Sequence, residues 1–199
     1  MTITNEDNMQ LMARYENNHF DLAIVDPPYG ININSSGRLG KYGGKGKNWD
    51  NETPSKEYFK ELFRVSKNQI IWGGNYFNLP ATRCFLIWDK QQPENVSFAS
   101  CEYAYTNFDK SAKTFYLRPQ NADNIRIHPT QKPVKLYEWL LMNNAKEGDK
   151  ILDTHLGSGS IAIACHNLGY DLTACELDKE YYEASLKRIN QHKAQLRII

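Results

Sequence analysis

Four consecutive residues, Asp26-Pro27-Pro28-Tyr29, place a carboxylate, bare carbonyl oxygens and an aromatic face at the end of an apolar run. Two prolines fix φ at successive positions and remove two N–H donors, so the turn is stiff and accepts hydrogen bonds. Such a turn suits an amino group, bound through the carboxylate, and a flat ring stacked on Tyr29. The preceding run, Leu22-Ala23-Ile24-Val25, is continuous and partly β-branched, which predicts a strand buried on both faces of a parallel sheet. Asp26 then emerges at the carboxyl end of that strand, where open α/β sheets bind their ligands.

A second constellation lies near the carboxyl end, in Lys150-Ile151-Leu152-Asp153-Thr154-His155-Leu156-Gly157-Ser158-Gly159-Ser160 followed by an apolar stretch through Leu168. Strand, glycine-rich turn, helix is the arrangement that brings backbone close to a bound nucleotide. Gly157 and Gly159 remove Cβ atoms where a ligand passes, and Ser160 is expected to cap the helix. The next predicted strand ends in Glu176, 23 residues beyond Asp153, placed to accept hydrogen bonds from both hydroxyls of a ribose. A glycine turn of this kind leaves open which nucleoside binds. Between the two constellations runs Ile127-His128-Pro129-Thr130-Gln131-Lys132-Pro133, leading into an amphipathic helix. Taken singly, His128 reads as a loop histidine and Lys132 as a solvated charge.

The elements that must position these residues alternate along the chain. Strands are predicted at Asp21–Asp26, Gln69–Gly73, Cys84–Asp89, Tyr103–Asn107, Lys150–Asp153 and Asp171–Glu176. Helices are predicted at Asn8–Tyr15, Ser55–Val65, Val134–Asn144, Ser160–Leu168 and Lys179–His192, the second opened by the cap candidate Thr53 and Pro54. Alternation of this kind predicts an α/β fold, a mostly parallel sheet with helices on both faces. Residues 30–50 form an over-long, flexible Gly/Lys loop, and loops of that length are usually functional or disordered. No internal repeat is visible.

Composition narrows the classes. A chain of 199 residues, 41% hydrophobic and 24% charged, reads as one globular domain spanning 1–199. The polar, acidic start predicts no secretory leader, and no apolar stretch reaches the roughly 20 residues that cross a bilayer. The four cysteines have no metal-ligand spacing, so no metal is expected, and Cys165 and Cys175 are expected as buried thiols. Net charge is only +1, which excludes a uniformly basic nucleic-acid binder. Charge is nonetheless segregated. Arg38, Lys41, Lys45 and Lys47 stand among five glycines with no acid between Ile31 and Trp49, and six basic residues against Asp123 fill Lys110–Lys135.

Asp-Pro-Pro-Tyr, His-Pro-Thr-Gln-Lys-Pro, Asp-x-x-x-Gly-Ser-Gly and the strand-end Glu, in this order, resemble the β group of S-adenosylmethionine-dependent DNA amino-methyltransferases, and the resemblance runs from Ile3 to about Ile189. It implies a Rossmann-like methyltransferase fold with a seven-stranded sheet and one reversed strand. It implies catalysis by Asp26, Pro27, Pro28 and Tyr29. It implies a cofactor site of Asp7, Asn8, Asp26, His128, Thr130, Gln131, Lys132, Asp153, His155, Gly157, Ser158, Gly159, Ser160, Glu176 and Leu177, with S-adenosylhomocysteine as product. The chain departs from the family at Asp153-Thr154-His155, where Asp-Pro-Phe is common and a ring near the cofactor is expected to be lost. It departs also at 108–127, a short insertion where the family usually carries a target-recognition domain. Double-stranded DNA is the implied partner, a homodimer the expected assembly, and a prokaryotic or phage-encoded cytoplasmic methylase, in a restriction–modification pair or alone, the expected setting.

Asp in the first position resembles adenine-N6 enzymes more than cytosine-N4 ones. Cytosine-N4 or RNA adenine methylation, a non-catalytic nucleic-acid-binding subunit and an NAD-dependent dehydrogenase stand as alternatives. A glycine turn as late as Gly157 argues against the last, and the absence of a Pro-Cys pair argues against methylation at a pyrimidine carbon. Arg38, Lys41, Lys45 and Lys47 are expected to contact DNA phosphates. Replacing all four by alanine should flatten the slope of log affinity against log salt measured on duplex DNA, and an unchanged slope refutes the assignment.

Overall fold

The computed structural model describes residues 1–33, 47–93, 95, 99–119 and 126–195. Among them, eight strands form one sheet: β1 (Thr2–Thr4), β2 (Phe20–Val25), β3 (Ser66–Trp72), β4 (Phe85–Asp89), β5 (Cys101–Thr106), β6 (Lys113–Tyr116), β7 (Lys150–Asp153) and β8 (Asp171–Cys175), in the order β1-β8-β7-β2-β3-β5-β4-β6. Only β5 runs against the others, antiparallel to both β3 and β4. The single reversed strand matches the expectation, and the sheet has one strand more than the seven expected. The two strands without a sequence signal are the edges. β1 and β6 are three and four residues long and half exposed, too short for an apolar run. Strand β6 also places regular structure inside the 108–127 insertion, pairing parallel to β4.

Strand β2 shows why both faces are covered. Leu22 and Ile24 pack with Leu136, Leu140 and Leu141 of α3 (Val134–Asn144) and with α4 (Ser160–Leu168). The alternate residues Ala23 and Val25 pack with Leu11 and Met12 of α1 (Asn8–Ala13) and Tyr58, Leu62 and Val65 of α2 (Lys56–Val65). Period-2 side-chain alternation thus assigns one strand to two cores. Two helices return the chain from one strand to its parallel neighbour, α2 from β2 to β3 and α4 from β7 to β8. Because those two crossovers leave in opposite directions, a topological switch point falls between β2 and β7. Their carboxyl ends carry Asp26 and Asp153.

The caps are partly displaced from expectation. Ser55, rather than Thr53, caps α2 by accepting a hydrogen bond from Tyr58 N–H. Helix α4 is entered through Gly159, in the left-handed region at φ 74°, and not through a Ser160 cap. The Ser160 hydroxyl turns inward instead, accepting from Arg188 of α5 (Lys179–Ala194) at 3.0 Å and pairing with Ser158 at 3.1 Å. Cys165 and Cys175 are buried free thiols, as expected.

A side chain at Gly159 would meet two costs together. Its φ disfavours any Cβ, and that Cβ would stand 2.9 Å from Ile189 Cδ1. Gly159→Ala should lower stability by about 1–3 kcal/mol, read from urea unfolding midpoints. A change under a few tenths would show that this turn is not under steric control.

Candidate active site

Asp26 leaves β2 into a turn that is held from outside. The Asp50 carboxylate accepts the backbone N–H groups of Tyr29 (2.8 Å), Gly30 (3.1 Å) and Ile33 (2.9 Å), while its own carbonyl accepts Asn32 N–H at 3.0 Å. One buried carboxylate therefore pins the backbone that two prolines have already stiffened. Within the turn, Tyr29 donates its hydroxyl to Asp26 Oδ1 at 2.6 Å. The Tyr29 ring stacks on Tyr76 with centroids 4.9 Å apart and lies against Gly73, where a Cβ would fall 2.2 Å from a ring carbon. Tyr29 thus serves two purposes, as an aromatic surface and as a hydrogen-bond donor to the carboxylate.

Lys132, from the segment before α3, has a side chain only 2% exposed and places its ammonium 2.5 Å from Asp26 Oδ2 and 3.0 Å from Glu102 Oε2. Lys90, just after β4, holds the other Glu102 oxygen at 2.6 Å. Burial pulls the Lys132 ammonium down, and the two carboxylates more than offset it, so it stays cationic. Burial also works against both carboxylates. Two lysines hold Glu102 down at about 2, whereas Asp26, with one lysine and Glu102 nearby, is raised.

Two cavities meet at this group. The larger, about 500 Å³, is lined by Asn8, Asp26, His128, Thr130, Gln131, Lys132, His155, Gly157, Ser158, Glu176 and Leu177 among others. Eleven of the fifteen expected cofactor residues therefore converge on one space. The other four do not reach it. Asp7 caps α1, accepting Met9 N–H and Gln10 N–H; Asp153 is buried beneath, accepting His155 N–H; Gly159 packs on α5; and Ser160 joins Ser158 and Arg188. Glu176 sits at the tip of β8, its oxygens accepting Gly157 N–H at 2.8 Å and Asp178 N–H at 2.9 Å. Each oxygen keeps a second lone pair toward the cavity. The second cavity, about 340 Å³, is lined by Pro27, Tyr29, Tyr76, Lys90, Glu102 and Tyr103 among others. Asp26, Pro28, Trp49, Thr130 and Lys132 belong to both walls.

The departure from Asp-Pro-Phe costs no ring. His155 presents its imidazole to the larger cavity, edge-on to Tyr58 at 5.3 Å, with Nδ1 2.9 Å from the Thr154 hydroxyl and Nε2 3.1 Å from Asn8 Nδ2. His128 packs between Trp49 and Tyr181, with ring centroids at 5.2 and 4.4 Å.

Of the residues expected on DNA, Arg38, Lys41 and Lys45 lie outside the described residues. Lys47 is committed elsewhere: its ammonium pairs with Asp178 (2.6 Å) and Glu180 (2.8 Å) and lies 4.2 Å from the centre of the Tyr181 ring. The far end of the 30–50 loop is thus tied to the site through Lys47, Trp49 and Asp50. Asp50, Trp49, Tyr76, Lys90 and Glu102 are site residues that sequence reasoning missed. Asp50, an acid closing a glycine-rich basic stretch, had a faint signal; Glu102 and Lys90 meet only through the antiparallel register of β4 and β5.

A family profile described as DNA methylase, of the N6/N4 type, matches residues 72–187, more than half of the chain. The chain belongs to this family of DNA methylases. The methylase is similar to the type II methyltransferase M2.DpnII of Streptococcus pneumoniae, 25% identical over 95% of this chain and 89% of that protein, and to M2.LlaDCHI of Lactococcus lactis subsp. cremoris, 24% identical over the same shares. Both alignments exceed 240 positions, against 199 residues here, so those relatives carry residues this methylase lacks. Its fold is shared with M1.HpyAVI, solved as a complex named for SAM, at a TM-score of 0.62 and 22% identity over 94% of this chain and 98% of that one. It is shared also with the cytosine-N4-specific PvuII DNA methyltransferase, at a TM-score of 0.65 and 10% identity over 99% and 87%.

Desolvation lowers the His155 imidazole to about 3. The folded methylase therefore keeps this ring neutral, while the unfolded chain protonates it near its ordinary value. The ring's contribution is present above about pH 6.5 and is lost as pH falls toward 3. His155→Phe should reduce the loss of stability between about pH 7 and pH 4.5, measured by denaturant midpoints at each pH. An unchanged pH slope would refute the assignment of a neutral buried ring.

Proposed function

We propose that this methylase transfers a methyl group from S-adenosylmethionine to the exocyclic N6 amino group of adenine in double-stranded DNA. The observation that carries this reading is the placement of Asp26 in the wall common to the two cavities, at the carboxyl end of β2. A methyl donor in one and a base in the other would meet at its carboxylate.

The residues of the larger cavity fit the cofactor. Its volume lies within the range of sites for small ligands and cofactors. Glu176 at the tip of β8 presents lone pairs suited to ribose hydroxyls. A Cβ on Gly157 would meet nothing closer than 3.8 Å, so that glycine leaves open space where an adenosyl group would pass. The relatives named methyltransferases and the fold shared with a complex named for SAM support the same cofactor. When bound, the cofactor supplies an electrophilic sulfonium methyl with its own leaving group.

What the protein must supply is a positioned nitrogen lone pair. A target base enclosed in the smaller cavity has left the duplex. Its amino hydrogens would be accepted by Asp26 and the Pro27 carbonyl, which favours a more tetrahedral nitrogen and aims the lone pair at the other cavity. Stacking on aromatic surface such as Tyr29 contributes about 1–3 kcal/mol per base. Transfer would form an N–C bond, break the S–C bond and leave the amino group with a proton to shed, for which Asp26 would be the acceptor.

Preference for adenine rests on the Asp at the head of Asp-Pro-Pro-Tyr. The likeness to the cytosine-N4-specific PvuII enzyme makes N4-methylcytosine the competing product. Labelled S-adenosylmethionine, unmethylated duplex DNA and nucleoside analysis test both readings, with wild type and Asp26→Ala side by side. N6-methyladenine from wild type, reduced at least about a hundredfold in the variant, is the expected result. N4-methylcytosine would overturn the choice of base while keeping the mechanism, and no product on DNA would overturn the reading.

A further inference from the structure

Both oxygens of Asp26 are engaged, Oδ1 by the Tyr29 hydroxyl and Oδ2 by the Lys132 ammonium. The cation draws the lone pairs that an incoming amino group needs. An Asp26–Lys132 pair alone would therefore be a poor acceptor. The structure, however, sets a second carboxylate against the same cation. Glu102 Oε2 lies 3.0 Å from Lys132 Nζ, while Oε1 is held by Lys90. The four charges come from four places: the end of β2, the start of β5, the segment after β4 and the segment before α3.

We propose that Glu102, steadied by Lys90, is a positioning residue that acts on Asp26 through Lys132. It offers the ammonium a second seat, so that Asp26 Oδ2 is released when the target amino group arrives. The movement is small, since the ammonium already touches both carboxylates. Buried charges stay paired throughout: Lys132 goes from two carboxylates to one, and Asp26 exchanges a cation for an amino donor. Lys90 limits the pull, because its charge keeps Glu102 from drawing Lys132 away before the base has entered.

This inference rests on Asp26 as the acceptor of the target amino group, and the pH dependence of turnover separates it from a purely structural ion pair. The groups facing Asp26 are Tyr29 on its own turn, Lys132 before α3, Glu102 of β5 with Lys90 behind it, Tyr137 of α3 and Asp153 of β7. Burial first, with the charges of Asp26 and Glu176 adding, pushes Asp153 up to about 8, so that it is uncharged in the acidic range and common to every variant.

Removing the charge of Glu102 leaves Lys132 wholly to Asp26, which makes Asp26 harder to protonate and weaker as an acceptor. Removing the charge of Lys90 does the reverse. In single-turnover methyl transfer with saturating S-adenosylmethionine, Glu102→Gln should lower the rate about tenfold or more and move the acidic limb to lower pH. Lys90→Gln should move that limb to higher pH, and Glu102→Asp should recover part of the lost rate. Opposite displacements support the proposal. Limbs that coincide with wild type, or that move the same way in both variants, overturn it. Lys90→Gln alone carries the test if Glu102→Gln does not fold: a shift to higher pH supports the proposal and an unshifted limb overturns it. Wild type without methyl transfer would instead refute the underlying reading of Asp26.

Discussion

Lys132 is the charge around which the rest of the site is arranged. An ammonium whose side chain is 2% exposed must be compensated, because desolvating a lone cation costs several kcal/mol. Compensation here requires both Asp26 and Glu102, which fixes how the end of β2, the start of β5 and the segment before α3 come together. The reversal of β5 matters for this reason. Running antiparallel to β4 in a register that pairs Trp88 with Glu102, it brings Lys90 alongside Glu102 and completes a neutral group of four charges. A positive charge in the centre of the sheet's ligand edge is thereby made compatible with burial.

Around that group the backbone is fixed by means other than regular structure. Two prolines remove the freedom and the donors of the turn after β2, and Asp50 collects three of the N–H groups that follow. The consequence is a turn whose backbone donors are satisfied by Asp50. Asp50 lies at the end of the Gly/Lys stretch, and Lys47, three residues earlier, is bound to Asp178 and Glu180 at the start of α5. The same short segment thus touches the turn after β2 and the β8–α5 side of the larger cavity. Any ligand that displaces Lys47 bears on the backbone of Tyr29 through only a few covalent bonds.

The central elements were legible because their signals are local. The apolar run of β2 and the strand–glycine–helix pattern of β7 and α4 gave the switch point, and with it the carboxyl ends where the site had to be. Val134–Asn144, Ser160–Leu168 and Lys150–Asp153 fell within their expected bounds. The edges were not legible, since β1 and β6 derive their strand character from pairing to β8 and β4 rather than from their own few residues. Within the site, eleven motif residues converge on one cavity, and the expected Ser160 cap is replaced by Gly159. Ser160 and Gly159 sit in the glycine motif for helix packing against Ser185, Arg188 and Ile189, which no spacing along the chain reveals. Glu102, Lys90 and Asp50 act across 20 residues or through a strand register, so they carry no signature of their own.

Two cavities that share a wall impose one further constraint. On the proposed reading, a methyl group crosses that wall where the donor and the amino nitrogen are in line. Asp26, Pro28, Trp49, Thr130 and Lys132 form that wall. Proline cannot donate to the carboxylate, and the Tyr29 and Lys132 donors approach it from the sides that the ring and the buried cation occupy. On the proposed reading, selectivity between amino groups depends less on Asp26, which accepts from any of them, than on which ring shape the smaller cavity holds against Tyr29, Tyr76 and Tyr103. On that reading the chemistry belongs to the turn, and the choice of base to the aromatic surface around it.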